Sequence, residues 1–214
     1  MKQKPAQTAL ALCLAIIVFF CILTASISLP IWWRGFYHLH IEALDLPRRS
    51  GFTAEQIWTA YNEVLDYLTV PGSPFGTGDL PHSAEGQAHF EDCKFLFDLN
   101  HWVLMVSFLC LLLLGRTNGG RLAGHSGAFW GGVAALVIPV IVGALAALDF
   151  NRAFVIFHSI FFPGKTNWVF DWHADQIIRV LPQEFFMDCA ILIGVGLVTM
   201  AAGILVWESR RNWK

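Results

Sequence analysis

The sequence predicts an all-α integral membrane protein with four transmembrane helices, both termini cytoplasmic, and an extracellular cap built from its two long connections. Three observations predict this. The 214 residues are 56% hydrophobic and only 14% charged, with a mean hydropathy of +0.55, which does not describe a water-soluble domain. Apolar runs long enough to cross a bilayer occur four times. Lys and Arg gather beside alternate ends of those runs, as retention of basic residues on the cytoplasmic side requires. The formal net charge of -2 gives no electrostatic footprint for nucleic acid.

The whole chain, 1–214, is read as a single membrane domain. Its first span, about 8–31, follows Lys2 and Lys4 and is longer than the apolar core of a signal peptide. Pro30, Trp32 and Trp33 at its end form an interfacial belt and not a cleavage site, so the span is expected to be retained. A second span, about 95–114, is entered through Asp98, Asn100 and His101, so its helix should begin before the hydrocarbon. The third, about 126–148, carries Gly127, Gly131, Gly132, Ala134, Ala135 and Gly143, small residues that let helix backbones approach in lipid. Trp207, Arg210, Arg211, Trp213 and Lys214 anchor the end of the fourth, about 189–207. Lys2, Lys4, Arg116, Arg121, Arg210, Arg211 and Lys214 then share one side with a single acidic residue, Glu208. The cap segments, about 34–94 and 149–187, fall outside. The first carries ten acidic residues up to Asp98 against Arg34, Arg48, Arg49 and Lys94.

Thr53 to Leu68 predicts an amphipathic helix. Thr53 and Gln56 have capping-box spacing, and Ile57, Trp58, Tyr61, Leu65 and Leu68 recur at helical intervals. Pro71, Gly72, Pro74 and Gly76 make the following stretch a loop, and helix resumes near Glu85. Asp175 to Leu181 reads as a short amphipathic helix. The five cysteines contain no CxxC pair; Cys13, Cys21 and Cys110 are small hydrophobes within spans, and a Cys93–Cys189 disulfide stays open.

Candidate chemistry centres on histidine. His158 stands among Phe154, Phe157, Phe161 and Phe162 with no charge between Arg152 and Lys165. An imidazole there is either a core residue with one hydrogen bond or a proton-transfer group in a dry pocket. His89, Asp92 and Lys94 share a helical stretch, His89 and Asp92 on one face, where a carboxylate fixes a tautomer or merely completes an ion-paired interface. HExxH is absent, and His38 and His40 diverge on a helix, so no metal site is expected. Gly124-His125-Ser126-Gly127 has the GxSG look of rhomboid proteases, but the charge pattern puts it at the cytoplasmic end of the third span.

Taken together, Tyr61-Asn62, the run His89-Phe90-Glu91-Asp92-Cys93-Lys94-Phe95-Leu96-Phe97, Phe157-His158-Ser159-Ile160-Phe161-Phe162, Asn167-Trp168 and Pro182-Gln183-Glu184-Phe185-Phe186 resemble the bacterial lipoprotein intramolecular transacylase family, Lit. Cys93 departs from the aliphatic residue expected there in that family. The resemblance implies a bacterial cell-membrane enzyme with its active site at the extracellular face. It would move the sn-2 acyl chain of a diacylglyceryl lipoprotein to the α-amine of that lipoprotein's N-terminal cysteine, without cofactor. It also implies that His89 and His158 are the catalytic pair. Tyr61, Asn62, Asp92 and Lys94 are expected as supports for the imidazoles or the lipoprotein head, and Phe157, Phe161, Asn167 and Trp168 as substrate-binding positions. Lipoprotein and membrane lipid are the expected partners. Two rivals remain: a phospholipase or acyltransferase acting on free phospholipid, and a non-enzymatic membrane binding protein.

Overall fold

The computed structural model describes residues 5–114, 121–122 and 124–212. Lys2, Lys4, Arg116 and Lys214, on which the charge asymmetry largely rests, lie outside the described residues, as do Trp213 and the side chain of Arg211. The described chain is mostly helical. Four helices are long and apolar enough to cross a membrane: α1 (Pro5–Trp32), α5 (Ala84–Leu114), α6 (Gly127–Leu148) and α8 (Gln183–Asn212). Between them come α2 (Arg34–Ala43), α3 (Leu46–Ser50), α4 (Ala54–Thr69) and α7 (Phe150–Phe161). Beyond the sequence reading, Arg121–Leu122 and His125–Ser126 form a two-residue antiparallel pair.

The chain forms two compact units. The first comprises 1–29, 100–147 and 191–214. Its core is Leu14, Val18 and Ile22 of α1 against Ala135 of α6 and Leu197 and Ala201 of α8. Glycine permits the close approach: a Cβ on Gly131 would lie 2.6 Å from the Ala15 carbonyl oxygen, and one on Gly196 would lie 2.6 Å from Leu29 Cδ1. Hydroxyls inside the spans bond back to their own helix, as from Ser26 Oγ to the Ile22 carbonyl at 2.8 Å and from Ser28 Oγ to the Thr24 carbonyl at 2.8 Å. Asn100 Nδ2 donates to Ser28 Oγ at 3.0 Å, joining α5 to α1. Ser126 of the GxSG string donates to the Glu208 carboxylate.

The second unit comprises 30–99 and 148–190. α4 starts as its spacing predicts, with Thr53 and Gln56 forming a reciprocal capping box. It buries Ile57, Ala60, Tyr61, Val64, Leu65 and Leu68. Tyr61 stacks on Tyr37 at 3.8 Å, and the Tyr37 hydroxyl, fully buried, donates to the Val180 carbonyl at 2.6 Å. Burial raises the phenols of both tyrosines well above their ordinary value. Arg34 holds Asn62 Oδ1 at 2.6 Å and pairs with Asp66. The segment expected as a helix from Asp175 to Leu181 is a single 3-10 turn, Gln176–Arg179. Its backbone is diverted into long-range bonds, with Gln176 N donating to the Pro81 carbonyl at 3.0 Å. Cys93 and Cys189 are free thiols.

Candidate active site

The site lies within the second unit, where α5 and α7 each contribute one imidazole. His89 sits in the opening turns of α5, ahead of the segment from Phe95 that the sequence predicts as the span. The start of α5 is clamped by Asp175, a carboxylate only 3% exposed. Asp175 accepts from Ser83 N at 2.7 Å and Ser83 Oγ at 2.8 Å, while Ser83 Oγ accepts from Gly86 N at 2.9 Å. This satisfies helix-start donors that would otherwise be orphaned. Gly86 is required because a methyl group there would collide with the Asp175 carboxylate.

α7 is capped by Asp149, whose side chain accepts from Arg152 N at 2.9 Å. It leaves Val155, Ile156, Phe157, Ile160 and Phe161 exposed and buries His158. The helix is amphipathic with an unusual content: its buried member is the histidine.

His89 and His158 are 5% and 6% exposed, and their ring centroids are 5.7 Å apart with planes tilted by 32°. Phe162 at 5.0 Å and Phe170 at 5.4 Å set their edges against His89, and Trp168 lies 4.7 Å from His158. Phe154 covers His158 at 4.2 Å. Phe157 meets His158 edge-on at 5.4 Å, and Phe161 packs on Phe157 at 4.6 Å. The inner wall is therefore Phe154, Phe162, Trp168 and Phe170, and two of the expected phenylalanines line the outer face.

His158 Nδ1 lies 2.8 Å from the Phe154 carbonyl oxygen. A carbonyl only accepts, so Nδ1 carries the hydrogen and the neutral ring keeps its lone pair on Nε2. His89 Nε2 contacts Cys93 Sγ at 3.4 Å, and His89 Nδ1 is buried without a hydrogen-bonding partner among the described residues. Burial lowers the pKa of both imidazoles. His89 is lowered to about 4 by burial and by the neighbouring His158, with Lys165 adding to the effect and Asp92 opposing it. For His158, the bond to Phe154 offsets part of the burial effect. Both rings are neutral near pH 7. Burial also pushes the Cys93 thiol up to about 12, with the Asp92 charge adding to it.

Asp92, expected to orient His89, directs its oxygens elsewhere. One accepts from Lys165, and the other accepts from Asn167 Nδ2 at 3.0 Å. Burial works to raise the Asp92 carboxyl, but these two bonds and the Lys165 charge bring it below its usual value. The residue within hydrogen-bonding reach of the His89 ring is Cys93, one helical turn away. Asn167 Oδ1, like His89 Nδ1, is buried and unpartnered. Tyr61 and Asn62 are engaged with Tyr37 and Arg34, and Lys94 donates to the Tyr67 carbonyl while lying 4.4 Å over that ring. None of these interactions involves either histidine. Ser83, Gly86, Asp175, Lys165 and Phe170 are site-building residues that the sequence reading missed. A Ser-x-x-Gly helix start was the one available signal.

Fold and site together define a multi-pass helical membrane protein with paired neutral imidazoles in an aromatic enclosure, the equipment of acyl transfer by proton relay. The chain matches the family model described as lipoprotein intramolecular transacylase Lit over residues 12–186, and it belongs to that family of membrane acyltransferases. It is similar to the in meso structure of the membrane-integral lipoprotein intramolecular transacylase Lit from Bacillus cereus, with a TM-score of 0.85 and 23% identity over 96% of this chain and 98% of that chain. A structure of that enzyme with one histidine replaced by arginine gives a TM-score of 0.75 and 22% identity over 97% of this chain and 95% of the other. These likenesses show a shared fold. A relative from Aquifex aeolicus (strain VF5), described as an uncharacterized protein, is 26% identical over 81 residues. The match spans 36% of this chain and 37% of that relative, little more than a third of its length.

Proposed function

We propose that the protein transfers an acyl chain within one lipoprotein molecule, from the glyceryl sn-2 oxygen to the α-amine of the N-terminal cysteine, at the extracellular face of the membrane. The charge asymmetry along the sequence supports that orientation, with both termini cytoplasmic and residues 34–94 and 149–187 as the cap. The observation that carries the reading is the buried imidazole pair at 5.7 Å, with one free lone pair on His158 and one unpartnered nitrogen on His89.

The chemistry follows from the protonation states. An α-amine with a pKa of about 7.7 to 8.0 is mostly ammonium near pH 7, and a neutral minority is the nucleophile. An imidazole lowered below its ordinary value takes a proton poorly from a free ammonium. Once the amine nitrogen has bonded to the ester carbonyl carbon, that nitrogen is far more acidic, and a weak base suffices. His158 Nε2 accepts this proton and delivers it to the departing glyceryl oxygen. The C–N bond forms, the C–O bond breaks, and the ring returns to its starting state. The remaining task, donation to the carbonyl oxygen as negative charge develops, falls to His89 Nδ1 when it carries the ring proton.

Attack within one molecule closes a ring of about eight atoms, from the amine through cysteine sulfur and glycerol to the carbonyl carbon, and such rings close poorly unless their ends are held. Phe154, Phe162, Trp168 and Phe170 are placed to hold the folded substrate and to exclude water, which would otherwise hydrolyse the ester. Ester-to-amide conversion runs downhill and needs no nucleotide or acyl carrier. Tandem mass spectrometry of a diacylated lipopeptide incubated with the purified protein tests the reading. The expected product has unchanged mass with one acyl group moved to the N-terminal amine. A mass lowered by one acyl group would mean hydrolysis, and a raised mass would mean transfer from a donor phospholipid; either overturns it.

A further inference from the structure

We propose that Cys93 is a positioning residue that holds the ring proton of His89 on Nδ1, by donating its thiol hydrogen to Nε2. The inference rests on the acyl-transfer reading only for its functional consequence; the geometry stands alone. Cys93 follows His89 by four residues on α5, so the two side chains lie over one another. Sγ is 3.4 Å from Nε2, and it is the one hydrogen-bonding partner of either ring nitrogen of His89 among the described residues. The direction of the bond follows from donor and acceptor strength. Burial keeps the sulfur a thiol, which has a hydrogen to give, and imidazole nitrogen is a far better acceptor than thiol sulfur. The reverse bond would pair a good donor with a poor acceptor.

This tautomer completes a division of labour between the rings. His158 is held by the Phe154 carbonyl with its lone pair outward, as the proton carrier. His89 is held by Cys93 with its hydrogen outward, as a neutral donor toward the carbonyl oxygen. A second neutral imidazole in the other tautomer would present two lone pairs to an oxyanion. Cys93 does this without a charge. A carboxylate in its place would favour the protonated ring, and Asp92, the nearby carboxylate, is occupied by Lys165 and Asn167.

The test is nitrogen NMR of full-length protein carrying 15N-histidine, with the His89 signals identified by their loss in His89→Asn. The expected spectrum shows His89 protonated on Nδ1 and bare on Nε2. In Cys93→Ala, Nε2–H should become populated and kcat should fall about tenfold with KM unchanged, the scale of one weak hydrogen bond. Cys93→Ser keeps a donor and should restore the tautomer and bring kcat within about twofold of wild type. A His89 ring already protonated on Nε2 in the wild type, or one unaltered in Cys93→Ala, overturns the proposal. So does an acyl thioester trapped on Cys93, which would make it a nucleophile. If no form of the protein moves an acyl group, the transfer reading fails while the tautomer result still decides the role of Cys93.

Discussion

In the unit of residues 1–29, 100–147 and 191–214, helices meet where side chains are missing. Gly131 faces Ala15 and Val18, Gly196 faces Ser26 and Leu29, and hydroxyls such as Ser26 and Ser28 bond back to their own helix. In the unit of residues 30–99 and 148–190, segments far apart in sequence are tied by charged and aromatic groups: Arg34 to Asp66, Arg49 to Glu184, Asp92 to Lys165, Asp175 to Ser83, Tyr37 to Val180. Between lipid-exposed helices water supplies no hydrophobic drive, so contact area and internal hydrogen bonds must hold the helices together. Irregular segments have the opposite problem: their backbone needs partners and their register needs fixing. The catalytic candidates lie in the second kind of architecture, where two rings can be set at a chosen distance by fixed polar clamps.

That contrast is broken most severely at the rings themselves. His89→Asn and His158→Asn should each reduce transacylation by about 10²- to 10⁴-fold, the usual scale of a lost acid–base group, while thermal unfolding in detergent stays near wild type. Next come the clamps. Asp175→Ala removes both acceptors at the start of α5 and should destabilise the protein by about 2–3 kcal/mol, because Ser83 N and Oγ lose a buried charged partner. Thermal unfolding should shift downward and turnover should fall with it. In the other unit, Gly131→Ala puts a methyl group 2.6 Å from a backbone oxygen and 2.7 Å from Val18 Cβ. It should cost about 1–3 kcal/mol by overpacking, with kcat at low temperature unaffected. Lys165→Ala should change stability least, since the Lys165 side chain is 49% exposed and such pairs contribute under about 1 kcal/mol.

The pH dependence separates the units as well. The folded-state pKa of His89 lies near 4, below its ordinary 6.5, so the unfolded chain binds more protons between those values. Stability should therefore be insensitive to His89 above pH 6.5, fall as pH drops toward 4, and level off below that. His89→Asn should flatten this part of the curve. Activity should rise with pH through the range of the substrate amine, without a step at 6.5.

The sequence disclosed the membrane-spanning architecture because its signals are local and strong: four apolar runs, and a capping box with both members inside α4 and its cap. It pointed to His158 as a lone imidazole in an aromatic run and to His89 through its spacing to Asp92, while their pairing came from the resemblance to the Lit family. It did not disclose what holds them. Asp175 reaches Ser83 across a separation of 92 residues, and Lys165 reaches Asp92 across 73, distances at which spacing carries no information. Asp92 was legible as a neighbour of His89 but not as one already occupied by Lys165 and Asn167. Cys93, at helical spacing from His89, was visible, but thiols in apolar surroundings are ordinarily inert. The expected helix at Asp175–Leu181 shortened to one turn because Gln176 N bonds to the Pro81 carbonyl and Asp175 turns to α5.

The joint action of the two imidazoles on one ester is open to a single comparison: turnover of a diacylated lipopeptide by His89→Asn, His158→Asn and the double replacement, in protein of equal folded fraction. Groups acting as one unit are not additive, so all three variants should show nearly the same residual rate. Losses that multiply in the double variant, or a single replacement that leaves turnover intact, would contradict a shared site.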